Sequence, residues 1–233
     1  MGNGKYDSIK ERCYSANLDI PRYGLAVFTF GNASAFDKSL GVFAIKPSGV
    51  PYDQLSPDNM VVVDLEYKVV EGSLRPSSDT KTHAVLYRAF GDIGGIVHTH
   101  STYATAWAQA MTPIPIFGTT HADHLTEPIP CTDVMDDEMI KGDYEEETGN
   151  QILKTFDKRS HKEAQMVLVA CHGVFTWGLS PEQAVYNAVV TEELAKMALL
   201  TILVNPEVPQ IKKTLIQKHF QRKYGKNAYY GQK

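Results

Sequence analysis

The sequence contains little cysteine, and the cysteines it has are far apart. Its 233 residues include three, Cys13, Cys131 and Cys171. An odd number at such wide spacing fits neither a disulfide framework nor a paired-cysteine metal site. We therefore expect a protein of a reducing compartment, and the predicted localisation is cytoplasmic.

Long hydrophobic runs are missing as well. The most apolar stretch, residues 195–204, is interrupted by Lys196 and Thr201. The opening residues MGNGKYDS lack the apolar core of an export signal. Because a membrane-spanning helix needs about 20 predominantly apolar residues, no membrane is an expected partner.

An excess of basic charge is also absent. The chain has 23 Lys and Arg against 27 Asp and Glu, which gives a net charge of -4, and no dense basic cluster. Such a surface is unsuited to a phosphate backbone, so nucleic acid is not an expected partner. The pattern G-x-x-x-x-G-K-[ST] is missing too, which excludes a nucleotide held on that loop.

Hydrophobic residues make up 43% of the chain, and no low-complexity stretch divides it. We therefore predict one domain over residues 1–233. Short β-like runs are interspersed with helical stretches, and the early strands are joined by turn-rich segments typical of hairpins. This pattern predicts an α/β domain with a largely antiparallel sheet. The predicted strands cover residues 42–46, 60–64, 68–71, 95–100, 166–170 and 174–177, and the predicted helices cover residues 82–90, 104–111 and 180–200.

Two histidines stand two residues apart in the predicted strand IVHTHSTY, residues 96–103. Side chains at positions i and i+2 of a strand point to the same face, so we expect His98 and His100 to converge. Converging neutral imidazoles are the beginning of a metal site. The pair alone is equally compatible with two solvent-facing histidines at a sheet edge.

A third histidine, His172, follows an apolar run in VLVACHGVFTWG, residues 167–178. By itself it fits a buried histidine bonded to the backbone. Together with His98 and His100 it completes a set of three imidazoles, a typical ligand set for an open catalytic zinc site. The sequence therefore favours a metal centre with one position left for substrate.

The segment RPSSDTKTH, residues 75–83, precedes and enters a predicted helix. Ser77 and Ser78 offer hydroxyls and backbone N–H groups where the helix dipole favours an anion such as phosphate. Asp79 follows them, and it is either a cap for the helix or a carboxylate beside the metal.

A second candidate cradle for phosphate is IKPSGVP, residues 45–51. Lys46 carries charge, Ser48 carries a hydroxyl, and Gly49 lets the backbone approach a ligand closely. A plain β-turn would explain the same residues.

Titratable residues are dense in GTTHADHL, residues 118–125, which contains Thr119 and Asp123. This density indicates either acid–base chemistry or a solvated loop, and the spacing leaves both open. The tail KHFQRKYGKNAYYGQK carries His219, Arg222 and Tyr230 where chain ends are usually disordered. Aromatic residues in such a tail predict docking against another surface.

The motifs PSSDTKTH, IVHTHS, TTHADH and AYYGQ, in this order, resemble those of the class II aldolase/epimerase family. The resemblance covers nearly the whole chain and is strongest to the epimerases that invert C4 of a ketopentose 5-phosphate. It implies a three-layer α/β/α fold, with a mainly antiparallel central sheet between helical layers. It also implies a cyclic homotetramer with active sites between subunits.

The resemblance gives expected roles to the candidate residues. His98, His100 and His172, joined or flanked by Asp79, resemble the ligands of a divalent metal, with Zn²⁺ expected. Asp123 and Tyr230 resemble an acid/base pair. The expected phosphate and sugar contacts are Asn32, Lys46, Ser48, Gly49, Ser77, Ser78, Thr119, His219 and Arg222.

The implied reaction breaks and re-forms the C3–C4 bond, because the hydrogen on C4 is not acidic enough for direct removal. A divalent metal acts as a Lewis acid for the enediolate left when glycolaldehyde phosphate departs. The aldehyde then presents its other face, and the bond forms again. Two acid/base groups on opposite faces are therefore required.

Two alternatives compete with this interpretation. A class II sugar-phosphate aldolase uses the same metal chemistry but releases both fragments. That branch of the family usually has Glu after the two serines, where this chain has the shorter Asp79. A non-catalytic interaction module such as the adducin head resembles this fold but lacks the metal-binding residues, so the three histidines favour an enzyme.

Overall fold

A seven-stranded sheet forms the centre of the molecule, in the order β4-β3-β2-β1-β5-β7-β6. The computed structural model describes residues 4–226, 228–229 and 231. Every pairing between neighbouring strands is antiparallel, which confirms the predicted arrangement. The strands are β1 (Asn32–Asp37), β2 (Val42–Ile45), β3 (Val61–Asp64), β4 (Val69–Glu71), β5 (Gly95–Thr99), β6 (Met166–Val169) and β7 (Gly173–Gly178).

Helices cover both faces of this sheet. In the described residues they are α1 (Asp7–Arg22), α2 (Thr80–Ala89), α3 (Thr102–Gln109), α4 (Thr119–Ala122), α5 (Asp137–Lys141), α6 (Tyr144–Thr155), α7 (Pro181–Val204) and α8 (Lys213–Tyr224). None of them is long and apolar enough to cross a membrane.

The alternation of side chains along the strands creates a separate core on each face. Ala44 and Val97 belong to the core that the sheet shares with α1 and the first half of α7. Their neighbours Phe43 and Ile96 belong to the opposite core, which includes buried residues of α2 and α6. Because successive residues of a strand point to opposite faces, one sheet buries apolar side chains on both sides. The expected three-layer α/β/α fold is therefore confirmed.

Six helices and strands lie outside the set predicted from sequence, namely α1, β1, α4, α5, α6 and α8. β1 reads NASAFD, with small and polar residues in place of the β-branched ones that mark a strand. Asn17 of α1 explains how it is held, because its amide donates to the Ala33 carbonyl at 2.9 Å and accepts from the Ala33 N–H at 2.8 Å. Small side chains on β1 allow this close approach, and no local pattern signals it.

β5 is fixed in place by a close contact with the start of α7. A Cβ atom on Gly95 would lie 2.3 Å from the Cα atom of Pro181, so no larger side chain fits there without displacing backbone. The start of α7 is capped by Ser180, whose side chain accepts from the Gln183 N–H at 3.2 Å, and this is where the predicted helix 180–200 begins. Since His98 lies three residues after Gly95, this contact fixes the strand that carries His98 and leads into His100.

Candidate functional site

Two histidines meet at the end of β5. His98 is buried within the strand and His100 is exposed just beyond it, with their Nε2 atoms 3.1 Å apart. The Nδ1 atom of His98 lies 3.0 Å from the Val174 carbonyl. A carbonyl can only accept a hydrogen bond, so this Nδ1 carries the proton and Nε2 keeps its lone pair. The alternation along β5 thus brings the two rings together.

His172 joins this pair from the turn between β6 and β7. Cys171 adopts a left-handed conformation with φ 62°, and the His172 N–H donates to the Val169 carbonyl at 3.0 Å. The imidazole centroid of His172 then lies 4.7 Å from that of His98 and 5.0 Å from that of His100. One nitrogen from each of the three rings lies within 4.8 Å of the others.

Two residues that the sequence does not single out make this approach possible. A Cβ atom on Gly173 would lie 2.7 Å from the Thr99 carbonyl oxygen and 3.3 Å from ring carbons of both His98 and His100. Phe175 stacks on His98, with ring centroids 4.2 Å apart and planes inclined by 19°. Their only sequence signal is their position directly after His172 in the CHGVF motif.

Burial keeps the rings of His172 and His100 suited to a metal. It lowers the pKa of His172 to about 3, and the neighbouring His98 and His100 lower it further while Asp79 opposes them. Burial also lowers the pKa of His100, again with help from His98. Neutral imidazoles offer lone pairs, and two nitrogens bound to one tetrahedral zinc ion lie roughly 3.3 Å apart. The donor set and the 3.1 Å separation of two of its nitrogens fit a divalent metal.

Asp79 lies beside this cluster at the start of α2. Its side chain makes no capping bond, and Oδ2 accepts from the Asn32 amide at 2.6 Å. Burial raises the pKa of Asp79, but electrostatic interaction with the nearby His98, His83 and His172 and the Asn32 hydrogen bond together hold it below its usual value. Among the described residues the metal-binding group comprises the three histidines, so a direct bond from Asp79 to the metal stays a prediction.

A cavity of about 590 Å³ opens in front of the histidines. It brings together the metal-site candidates and most of the predicted phosphate and sugar contacts. The sequence does not single out the rim segment Thr29 to Gly31. The lining comprises Thr29, Phe30, Gly31, Asn32, Lys46, Pro47, Ser48, Gly49, Ser77, Ser78, Asp79, His98, His100 and His172.

Lys46 brings a buried positive charge to this cavity. The residue is 2% exposed, and its Nζ donates hydrogen bonds to the carbonyls of Thr29 and Pro47 at 3.4 and 3.5 Å. Burial lowers the pKa of Lys46, and no carboxylate pairs with it in the described part of the chain. An ammonium in such a place is stabilised by an anion.

The two predicted phosphate cradles form one structure. The Ser77 N–H donates to the Lys46 carbonyl at 3.0 Å, and the Ser48 N–H donates to the Arg75 carbonyl at 2.9 Å. Gly49 has φ +69°, which is readily accessible to glycine. These bonds place Lys46 and Ser48 beside the N-terminus of α2, where an anion is favoured.

A second polar cluster lies around Asp123. Arg222 donates to both carboxylate oxygens, from Nε at 3.0 Å and from Nη2 at 2.6 Å, and His219 Nδ1 lies 2.9 Å from Oδ1. Burial raises the pKa of Asp123, but Arg222 and His219 outweigh it and hold the carboxyl below its usual range. Thr119 lies alongside, since its carbonyl accepts from the Asp123 N–H at 2.8 Å.

This second cluster is separate from the histidine cavity within one chain. None of Thr119, Asp123, His219 and Arg222 is among the described residues that line the cavity. Within the described residues, α8 carries His219 and Arg222 to Asp123 of its own chain. Tyr230, the other predicted acid/base residue, lies outside the described residues.

The fold and the histidine cluster together define a class of protein. A family model, the class II aldolase and adducin N-terminal domain, matches residues 11–199. The chain therefore belongs to the class II aldolase family.

Individual relatives narrow this assignment. L-ribulose-5-phosphate 4-epimerase UlaF from Salmonella paratyphi C is 51% identical over 225 residues, which cover 97% of this chain and 99% of that protein. The protein of the same name from Salmonella choleraesuis is equally similar.

Solved structures give the fold. An L-fuculose 1-phosphate aldolase has a TM-score of 0.78 at 23% identity and covers 95% of this chain and 97% of its own. The L-fuculose 1-phosphate aldolase from Glaciozyma antarctica PI12 has a TM-score of 0.76 at 17% identity, with coverages of 94% and 82%. At these identities the likeness shows the shared architecture alone.

Replacing His98, His100 or His172 by Asn should reduce bound divalent metal, because each change removes one of three imidazole ligands. The fold should persist, since the sheet and helices bury their cores without the ion. Metal content by atomic emission and secondary structure by circular dichroism would check both. His124→Asn is a matched control outside the cluster, and full metal occupancy in all three cluster variants would contradict the assignment.

Proposed function

We propose that this chain is an L-ribulose-5-phosphate 4-epimerase, which converts L-ribulose 5-phosphate to D-xylulose 5-phosphate. One observation carries the proposal furthest. A three-histidine cluster and the buried, carboxylate-free ammonium of Lys46 face the same cavity. A metal site beside an anion site suits a phosphorylated sugar with a carbonyl to polarise. Identity of 51% over nearly the whole chain supports this activity above that of the two L-fuculose 1-phosphate aldolases described above, which match at 23% and 17%.

The proposed metal is Zn²⁺, held by His98, His100 and His172 with Asp79 alongside. When bound there, it would supply Lewis-acid stabilisation of negative charge on oxygens of the substrate. The neutral state of the imidazoles and their close nitrogens support this choice.

The substrate is held by groups around the cavity. Lys46, with the hydroxyls of Ser77 and Ser78 at the N-terminus of α2, binds the phosphate. Asn32 uses its amide nitrogen on Asp79, and its buried Oδ1 makes no hydrogen bond within the described residues. A substrate hydroxyl that donates to this oxygen would satisfy it.

Two proton transfers complete the reaction. A base takes the proton from the C4 hydroxyl while the C3–C4 bond breaks, and the bonding electrons stay with the three-carbon enediolate. Glycolaldehyde phosphate turns over while its phosphate stays bound, C3 attacks its other face, and an acid protonates the new C4 oxygen. We assign these transfers to Asp123 and Tyr230. The lowered pKa of Asp123 keeps its carboxylate ionised near neutral pH, which is the protonation state that a base needs.

We further propose a cytoplasmic homotetramer in which each active site lies between two subunits. The separation of the Asp123 cluster from the histidine cavity within one chain supports this arrangement. In a cyclic assembly, the Asp123 cluster of one subunit faces the metal cavity of its neighbour.

The decisive experiment incubates purified protein with L-ribulose 5-phosphate and follows D-xylulose 5-phosphate. We expect the product to form, formation to stop after a chelator, and added Zn²⁺ to restore it. Net release of glycolaldehyde phosphate in place of epimerisation would assign the chain to the aldolases. Absence of both products with metal-loaded protein would overturn the proposal.

Lys46→Met should raise KM for L-ribulose 5-phosphate by about ten- to a hundredfold, because a hydrogen bond to a charged group contributes about 1.5–3 kcal/mol. Inhibition by inorganic phosphate should weaken in parallel. Lys38→Met, at an exposed lysine just after β1 that is not among the residues lining the cavity, is the control and should leave KM unchanged. An unchanged phosphate inhibition constant in Lys46→Met would place the anion site elsewhere.

Mixing inactive Asp123→Asn and His98→Asn subunits should restore activity if each site uses Asp123 from one chain and the histidines from another. With random exchange in a cyclic assembly, about one quarter of sites would be intact. Mixed His98→Asn and His172→Asn subunits are the control, because no arrangement of them gives a complete metal site. Inactive Asp123→Asn/His98→Asn mixtures, after exchange is verified by mass spectrometry, would show that Asp123 acts within its own chain.

A further inference from the structure

Tyr144, which is not one of the cluster residues, contacts the imidazole of His172. Its hydroxyl lies 3.4 Å from Nδ1 of His172, and the two ring centroids are 6.0 Å apart. In the described residues this is the only hydrogen-bond partner of the His172 ring. His98 has a comparable partner, because its Nδ1 donates to the Val174 carbonyl. His98 and His172 thus each have one ring nitrogen within hydrogen-bonding distance of a residue outside the cluster, and the other ring nitrogen is available to bind a metal.

Tyr144 is held firmly, as a residue that orients another must be. It is the first residue of α6, and its carbonyl accepts from the Thr148 hydroxyl at 2.8 Å. The adjacent Glu145 carbonyl accepts from the Thr82 hydroxyl at 2.5 Å. The preceding Asp143 forms an ion pair with Lys81. Lys81 and Thr82 belong to α2, which begins directly after Asp79, so α2 anchors Tyr144 beside the site.

The phenol also has the right chemistry for this contact. A tyrosine hydroxyl, with an ordinary pKa of about 10, is neutral near pH 7. A neutral phenol both donates and accepts hydrogen bonds, so it can accept a hydrogen bond from an imidazole N–H without placing a second negative charge beside Asp79.

We propose that Tyr144 is a positioning residue of the metal centre. It accepts a hydrogen bond from Nδ1–H of His172, which fixes the tautomer whose Nε2 lone pair faces His98 and His100. Partners of this kind orient a ligating histidine and raise its basicity, and their loss typically weakens metal binding 10- to 100-fold. The inference rests on the metal site of the proposed function and is independent of the sugar.

Tyr144→Phe removes one hydroxyl and keeps the ring, so it tests this role directly. We expect Zn²⁺ affinity, measured by competition with a chromophoric chelator, to fall about 10- to 100-fold. The visible spectrum of bound Co²⁺ should also shift, because the ring of His172 is no longer held. Tyr186→Phe is the matched control, since its hydroxyl lies 2.9 Å from Nε2 of His124, which is not in the cluster. Tyr186→Phe should bind both metals as the unaltered protein does.

A double-mutant cycle separates positioning from general loss of structure. In a His172→Asn background, Tyr144→Phe should cause no further loss of Zn²⁺ affinity, because the group it orients is already gone. The inference is overturned if Tyr144→Phe alone stays within about twofold of the unaltered protein. An equal loss in both backgrounds, or an unaltered protein that binds no Zn²⁺, overturns it as well. Tight Zn²⁺ binding without epimerase activity would count against the proposed substrate alone.

Discussion

The approach of the β6–β7 turn to the end of β5 is the contact on which the site depends. Three imidazoles serve one metal only if their nitrogens are held close together, here within 4.8 Å. Gly173 permits this, because a Cβ atom there would lie 2.7 Å from the Thr99 carbonyl oxygen. Burial then favours the uncharged form of His100 and His172, in which a ring nitrogen keeps its lone pair for a metal. The local backbone contact and the donor chemistry therefore support each other.

The part of the cavity around Lys46 has a buried positive charge, which a bound anion would neutralise. Lys46 is 2% exposed and lies beside the loop that leads into α2. Asn32, paired with His98 across β1 and β5, holds Asp79 at the start of that helix. The central strands thus connect the metal side and the phosphate side of the cavity. In the described residues Asn32 Oδ1 makes no hydrogen bond and Lys46 has no carboxylate partner, which is physically reasonable for a site that binds a charged sugar.

The surroundings of Asp123, a residue of the proposed acid/base pair, differ from those of the histidines. Asp123 is an anion because Arg222 and His219 from α8 surround it, and all three lie outside the lining of the cavity. A single chain therefore holds the two polar clusters apart. In the proposed ring, assembly would bring them together.

Sequence alone determined the features that depend on local periodicity and residue chemistry. Alternation along β5 predicts that His98 and His100 converge, the Ser180 cap predicts the start of α7, and the short turns predict antiparallel pairing. Tertiary structure decided which distant residues complete these features. The sequence of β1 does not predict a strand, because the contacts that hold it come from Asn17 of α1 and from the neighbouring strands. Tyr144 is 28 residues away from His172, which it contacts. The division of the predicted site between two clusters was also beyond sequence, because packing of α8 sets it and packing is a property of the whole chain.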